Sequence, residues 1–472
     1  MTWTLDHWYA GAHHAPTSGR YLERTSPVDG SLVCRVADGD EHDIEAAVAA
    51  AQGALDGWKK TPAAVRGRLL IEIARRIRAA AESLTDEEIA ETGKPRGTAA
   101  TDVEVAAQYF EFYGEVINAV GGETFDLGAD FHSFTRNEPY GVIGVITPWN
   151  VPINQAARAV APAIAAGNTV VLKPSSLTST TSVRLAELCT AAGLPDGVYN
   201  VILGGGATTG PALVKHPLVR KVAFTGSVAV GQELAHLAAD RLLPLTLELG
   251  GKSANVVFAD ADLEKAAHWA TVAFTSNAGQ VCSSGTRLLV QREVHDRFVD
   301  MVAEKARAHR LGETIGPVIS AGQHQTVLHY LEIAEGEGAV PVTGGTTAVA
   351  ERGDDLFVPP TIYTGVRNDM RIAREEVFGP VLAVIPFDTE AEAIQIANDS
   401  PYGLVAGVWT RDISRALRVS AEIEAGQVFV NSWWSGGVQT PFGGTKMSGY
   451  GREKGVESLK HYTQVKCVTV AL

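Results

Sequence analysis

Apolar residues recur at steps of three and four early in the chain, in DEHDIEAAVAAAQGAL (40–55) and RGRLLIEIARRIRAAAESL (66–84), and this spacing predicts amphipathic helices. Thr85-Asp86-Glu87-Glu88 has capping-box spacing, so a further helix is expected to open there and to end near Gly93. From residue 141 the pattern changes. Short apolar runs (GVIGVIT, NTVVLKP, VYNVIL, KVAFTG, LTLELG) alternate with helical stretches beginning near Pro152, Thr178, Ala207 and Val228. Strands apolar on both faces are what a parallel sheet covered by helices requires, so this region reads as a doubly wound α/β domain. A second α/β series starts near residue 250 with SANVVFA and DLEKAAHWATVAF, and recurs as RLLVQ, VLAVIPF and AGVWT. The closing YTQVKCVTVAL alternates and is β-branched, which predicts a terminal strand added to a sheet of its own chain or of a neighbouring subunit.

The 472 residues allow two or three domains, and a 45% hydrophobic, 20% charged composition is that of a globular protein. With 40 Lys and Arg against 54 Asp and Glu the net charge is −14, which argues against nucleic acid or an anionic membrane as partner. The apolar stretch 141–172 is broken by Pro148, Pro152, Arg158, Pro162 and Asn168, so no membrane span is expected. The start, MTWTLDHWYAG, shows no basic segment followed by an apolar one, and a cytoplasmic location is the expectation. Four cysteines without a CxxC pair, and no HExxH among the histidines, predict free thiols and no metal site.

Cys34, Cys189 and Cys467 lie in contexts that suit apolar packing. Cys282, in NAGQVCSSGTR (277–287), is surrounded by small and polar residues, a setting better suited to a reactive thiolate. VAFTGSVAVG (222–231) runs a strand into Gly226, Ser227 and Gly231 as a helix begins, where free amides and the helix dipole attract phosphate, although a strand-to-helix turn needs glycine in any case. LGGGATTG (203–210) is a rival phosphate loop that lacks GxGxxG spacing and reads as a turn. Glu248 ends a strand in LELGGKS, either as a general base whose pKa burial raises or as a surface carboxylate. Asn150 in TPWN (147–150) is an oxyanion donor or a turn residue.

ITPWNVPI, VVLKPS, AFTGSVAVG, LELGGKSANVVFADADL, NAGQVCSSGTR, EEVFGPV and PFGGTKMSGYGRE occur in the order and spacing of the aldehyde dehydrogenase superfamily, which the chain resembles over nearly its whole length. The resemblance implies an NAD- or NADP-dependent enzyme that oxidises an aldehyde to a carboxylic acid. Cys282 would attack the aldehyde, the thiohemiacetal oxyanion would be held by Asn150 and the Cys282 amide, hydride would pass to the nicotinamide, and Glu248 would activate the water that hydrolyses the thioester.

The fold expected is a Rossmann-like coenzyme domain (1–116 and 140–248), a catalytic domain (249–448) and a small β oligomerisation element (117–139 and 449–472), in a homodimer or homotetramer. By motif position Lys173 and Ser176 lie at the adenosine ribose and Ser227 at the pyrophosphate, with Gly226 and Gly231 admitting the phosphates. Ile146 and Trp149 line the coenzyme cleft, Leu249 is near the nicotinamide amide, and Glu376, beside Phe378, meets the nicotinamide ribose. Many NAD-preferring relatives carry glutamate where this chain has Ser176, so use of both NAD and NADP is expected. Glu453 matches a family glutamate associated with proton relay.

The substrate entrance would be lined by Tyr113, Trp149, Val151, Gln155, Arg158, Val281, Ser283, Trp433, Trp434 and Gly436. Its aromatics fit a flat or cationic substrate and Arg158 a carboxylate-bearing one; tunnel packing for the tryptophans and an internal salt bridge for Arg158 are the alternatives. A coenzyme A-acylating dehydrogenase is disfavoured by Glu248, and a cysteine hydrolase or esterase by the lack of a Cys/His signature.

Overall fold

The structure is a computed structural model that describes residues 3–353 and 355–472. Five parallel strands form the middle of the first sheet, in the spatial order Leu245–Glu248, Val219–Thr225, Val142–Ile146, Thr169–Lys173, Tyr199–Val201. Chain order therefore runs outward from Val142–Ile146 in one direction and resumes on its other side with Val219–Thr225. The carboxyl ends of these two neighbours bound the crevice in which doubly wound sheets bind ligands. Antiparallel strands close both edges, Gly449–Tyr450 on one and His7–Tyr9 with Ala12–His14 on the other.

The helices expected between the strands are present as Pro152–Ala165, Thr180–Ala191, Gly206–Lys215 and Val228–Ala239. Pro152 sits in the first helical turn, where its missing N–H leaves no internal bond unmade. Asp40 caps the helix Glu41–Lys60 in a reciprocal box with Asp43. The capping box expected at Thr85 is absent. One helix runs unbroken over Ala81–Thr92, the Thr85 hydroxyl donates to the Ala81 carbonyl at 2.7 Å, and the Glu88 carboxylate faces the buried Lys94 ammonium. The helix does stop at Gly93, which takes the left-handed conformation at φ 68°.

A second sheet carries seven strands in the order Val340–Thr343, Thr361–Thr364, Val381–Phe387, Arg287–Gln291, Ala254–Val257, Val405–Trp409, Gln427–Val430, all parallel except the first. The closing segment is the strand Thr463–Ala471, which pairs residue for residue with Phe131–Pro139 in a three-stranded antiparallel sheet completed by Thr124–Phe125. Cys467 on this strand is exposed and does not pack in a core, whereas Cys34 and Cys189 are buried. No helix among the described residues is long and apolar enough to cross a membrane.

Candidate active site

Cys282 lies in the loop between the short turn Ser276–Gly279 and the strand Arg287–Gln291. The loop turns tightly: Asn277 and Ala278 have φ of 51° and 54°, and a Cβ on Gly279 would fall 2.1 Å from the Gly379 carbonyl oxygen. A Cβ on Gly251 would fall 2.7 Å from the Cys282 carbonyl, so the paired glycines after Glu248 let the two motifs touch.

Asn150 is held from three sides. Its backbone carbonyl accepts from Lys94 Nζ at 3.0 Å and Asn277 Nδ2 at 2.9 Å, and its own Nδ2 donates to the Gln280 carbonyl at 2.8 Å, which leaves the second amide proton free. Lys94 is buried and also donates to Asp102 at 2.8 Å and Glu88 at 3.4 Å. Neither Lys94 nor Asp102 stands out in the sequence; only the fold brings them beside Asn150.

Burial pushes the Cys282 thiol up to about 12, against the lowering influence of Arg158, while Glu376 and Glu248 push it further up. Glu248 is buried with both carboxyl oxygens unpartnered among the described residues. Its pKa lies well above the ordinary carboxylate range, first through burial and then through the neighbouring Glu453, with Arg158 and Arg452 opposing.

Two connected cavities meet at these residues. One, of about 750 Å³, is lined by Tyr109, Val151, Gln155, Arg158, Trp269, Val281, Cys282, Ser283, Phe429, Trp434, Phe442 and Lys454 among others. The other, of about 210 Å³, is lined by Trp149, Gly226, Ser227, Glu248, Leu249, Glu376 and Phe378. Asn150, Gln155 and Cys282 belong to both. A third hollow, of about 450 Å³, continues the second outward past Ile146, Trp149, Lys173, Ser176, Gly226 and Ser227.

The cleft formed by these last two suits a dinucleotide. Ser227 caps the helix Val228–Ala239, accepting from the Val230 amide at 3.4 Å, and both residues line the cleft, so the helix begins at its wall. A Cβ on Gly226 would fall 2.5 Å from the Phe224 ring, and one on Gly231 2.6 Å from the Leu249 side chain. Lys173 is buried at a strand end with no ion pair or hydrogen bond for its ammonium among the described residues, and burial lowers its pKa to about 8. Such a buried donor lacks a partner that ribose or phosphate oxygens would supply. Glu376 accepts from the Gly251 amide at 3.0 Å, and burial raises its pKa to about 7. Phe378, at φ 55°, stands edge-on to Trp149 with ring centres 5.3 Å apart. LGGGATTG, read as a turn, opens the helix Gly206–Lys215, and Gly206, Ala207 and Gly210 form another wall of the same cleft.

On the substrate side the structure corrects several assignments. Tyr113 is fully buried, donates to the Gly455 carbonyl at 3.1 Å and lies outside the tunnel lining; Tyr109, one turn earlier, faces the tunnel. Trp433 is also buried, packed behind the cysteine loop so closely that a Cβ on Gly285 would fall 2.9 Å from its ring. Trp434 lines the tunnel, and its Nε1 donates to Ser283 Oγ at 2.9 Å. Gly436 is outside the lining, between Ser435 and Gly437, which are in it. Trp149 lines the coenzyme-side cavities alone. Arg158 forms the internal salt bridge, pairing with Glu453, and lies 4.9 Å from the centre of the Phe442 ring.

A model of the aldehyde dehydrogenase family matches residues 14–468. The chain belongs to the aldehyde dehydrogenase family. Solved members superimpose closely. An indole-3-acetaldehyde dehydrogenase complexed with NAD+ is 40% identical, with a TM-score of 0.97 over 99% of this chain and 96% of that one. An NAD-dependent aldehyde dehydrogenase from Sinorhizobium meliloti is 39% identical, with a TM-score of 0.97 over 99% and 95%. A betaine aldehyde dehydrogenase from Staphylococcus aureus, a point mutant in complex with NAD+, is 36% identical, with a TM-score of 0.95 over 99% and 96%. The present dehydrogenase thus oxidises an aldehyde to the carboxylic acid with a nicotinamide dinucleotide as electron acceptor.

Proposed function

We propose that Cys282 is the nucleophile of this oxidation, Asn150 the oxyanion donor and Glu248 the general base. The observation that carries the reading is that Cys282 and Asn150 stand where the substrate-side and coenzyme-side cavities meet. As thiolate, Cys282 adds to the aldehyde carbon. The free amide proton of Asn150 and the Cys282 N–H, which takes no partner among the described residues, are the donors for the resulting oxyanion. A coenzyme bound in the Ile146–Phe378 cleft would supply the hydride acceptor; Lys173 and Ser176 would hold its adenosine end, Gly226, Ser227 and Gly231 its phosphates, and Leu249 and Glu376 its nicotinamide end. Glu248, whose ionised form is a stronger base than a surface carboxylate because of its burial, takes the proton of the water that cleaves the acyl-cysteine. Glu453 serves by neutralising Arg158.

NAD is the coenzyme held by the solved relatives, and Ser176, beside Lys173 in the cleft, supports tolerance of NADP as well. The two large sheets and the sheet of Thr463–Ala471 support a coenzyme unit of 1–116 and 140–248, a catalytic unit of 249–448, and an oligomerisation element of 117–139 and 449–472 whose Gly449–Tyr450 edges the coenzyme sheet. The largely exposed strand Thr463–Ala471 supports a homodimer or homotetramer, and four unpaired cysteines support a cytoplasmic location.

The test is a panel of aldehydes assayed by reduced-nicotinamide absorbance with each coenzyme, on the native enzyme and on Cys282→Ala. Turnover is expected to fall by roughly 10⁴-fold or more in the variant while coenzyme still quenches its tryptophan fluorescence. Retention of most activity would show that another group is the nucleophile.

A further inference from the structure

Arg158 is the cation that the sequence places in the substrate tunnel, yet its charge is committed to Glu453. Asp102, the acidic residue of the tunnel lining, is likewise committed, accepting from Lys94 at 2.8 Å and from Asn154 Nδ2 at 3.2 Å. What remains is Lys454. It lines the same tunnel, with Nζ 5.8 Å from the centre of the Phe442 ring, and among the described residues it has neither an ion pair nor a hydrogen bond for its ammonium. Its backbone is held at φ 61°, a conformation uncommon for a residue with a Cβ. The two consecutive side chains go to different places: Glu453 to the buried pair with Arg158, and Lys454 to the cavity. Burial lowers the Lys454 pKa to about 8, Arg158 adds to the effect, and no carboxylate opposes it.

The tunnel therefore carries one uncompensated, partly desolvated positive charge. We propose that Lys454 selects aldehydes that bear a single carboxylate remote from the carbonyl. A monoanion matches the single free charge, whereas a phosphorylated aldehyde would bring nearly two charges to one ammonium. The aromatic wall of Trp269, Phe429, Trp434 and Phe442 accommodates the carbon chain between the ammonium and Cys282. This selection rests on the reading of Cys282 as the aldehyde's nucleophile.

The experiment compares 4-oxobutanoate with butanal, and 6-oxohexanoate with hexanal, on the native enzyme and on Lys454→Met and Lys454→Arg. For the native enzyme, kcat/KM is expected to be higher for the better oxoacid than for its alkanal. In Lys454→Met the oxoacid-to-alkanal ratio of kcat/KM is expected to fall about tenfold, through KM more than kcat, and Lys454→Arg is expected to restore most of it. The alkanal measured on the same preparation reports whether the variant is folded. A native enzyme that prefers both alkanals, or a ratio unchanged in Lys454→Met, would overturn the selection while leaving the reaction intact. A native enzyme that oxidises other aldehydes but neither oxoacid would overturn the selection and leave the Cys282 reading standing, whereas a Cys282→Ala variant that keeps its turnover would overturn that reading and the selection with it.

Discussion

The two sides of Cys282 are built differently. The coenzyme side is made from strand ends and the turns that follow them: Ile146 and Trp149 after one strand, Lys173 and Ser176 after the next, Gly226 and Ser227 after a third, Leu249 after a fourth. Each of these lining residues comes from a short contiguous motif. The substrate side draws single residues from segments far apart, Tyr109 and Asp102 from the helix Arg96–Val116, Arg158 from Pro152–Ala165, Trp269 from Leu263–Thr275 and Lys454 from a loop near the end of the chain. The coenzyme side contains Lys173, a cation without a partner among the described residues, whereas on the other side Lys94 pairs with Glu88 and Asp102, and Arg158 pairs with Glu453. A site for a constant ligand is thus written in backbone and local motif, and a site for a variable one in side chains that only packing brings together.

Glu248 lines the coenzyme-side cavity with Cys282, and Glu248→Gln removes the proposed base while preserving shape. Steady-state turnover is expected to fall by about 10²- to 10⁴-fold, with an acyl adduct accumulating on Cys282 that intact-mass spectrometry detects. Unchanged turnover would place the base elsewhere.

Lys94→Met probes the paired charges behind the substrate side. It leaves Glu88 and Asp102 buried without their cation and removes one of the two donors to the Asn150 carbonyl. Stability is expected to drop by about 3–5 kcal/mol, read as a lowered unfolding midpoint, and kcat with it, because Asn150 loses one of its three anchors. A variant as stable as the native enzyme would show that the pair contributes no net stabilisation.

The Cys282 thiol, held up to about 12 by burial, is mostly protonated at neutral pH, so the thiolate fraction grows with pH until about 12. Alkylation of Cys282 by iodoacetamide in the coenzyme-free enzyme is expected to accelerate about tenfold per pH unit between 7 and 9. A rate that levels off near pH 7 would mean that Arg158 outweighs burial.

The smallest effect belongs to the coenzyme side. Ser176→Glu is expected to lower kcat/KM for NADP by about tenfold and to leave NAD within a factor of two to three, since a charged hydrogen bond is worth about 1.5–3 kcal/mol. Equal effects on both coenzymes would show that residue 176 does not read the 2′ position.

Where a contact depends on local sequence, it was legible in advance. The parallel strands announced themselves as doubly apolar runs, and Cys282, Glu248 and Asn150 lay in contiguous motifs at strand ends or in a tight loop. The failures are equally physical. Thr85 has the spacing of a cap, but a capping box competes with simple continuation of the helix, and here the preceding residues are already helical. Tyr109 and Tyr113 are four apart and share one helical face, so periodicity cannot say which ring reaches the tunnel; the carbonyl of Gly455, 342 positions away, takes the Tyr113 hydroxyl. Trp433 and Trp434 follow Asn431, at φ 51°, in a loop without a period, and which ring turns inward depends on Gly285 and Gly407 leaving room for Trp433.

The chain by itself determined its reaction class through the family resemblance of its contiguous motifs, because the residues of a short motif are neighbours in sequence. Only the tertiary structure decided the charges of the substrate tunnel. The effect of a buried charge depends on what faces it, and Glu453 and Lys454, adjacent in the chain, end in different settings, the first paired with Arg158 and the second in the tunnel without an ion pair among the described residues.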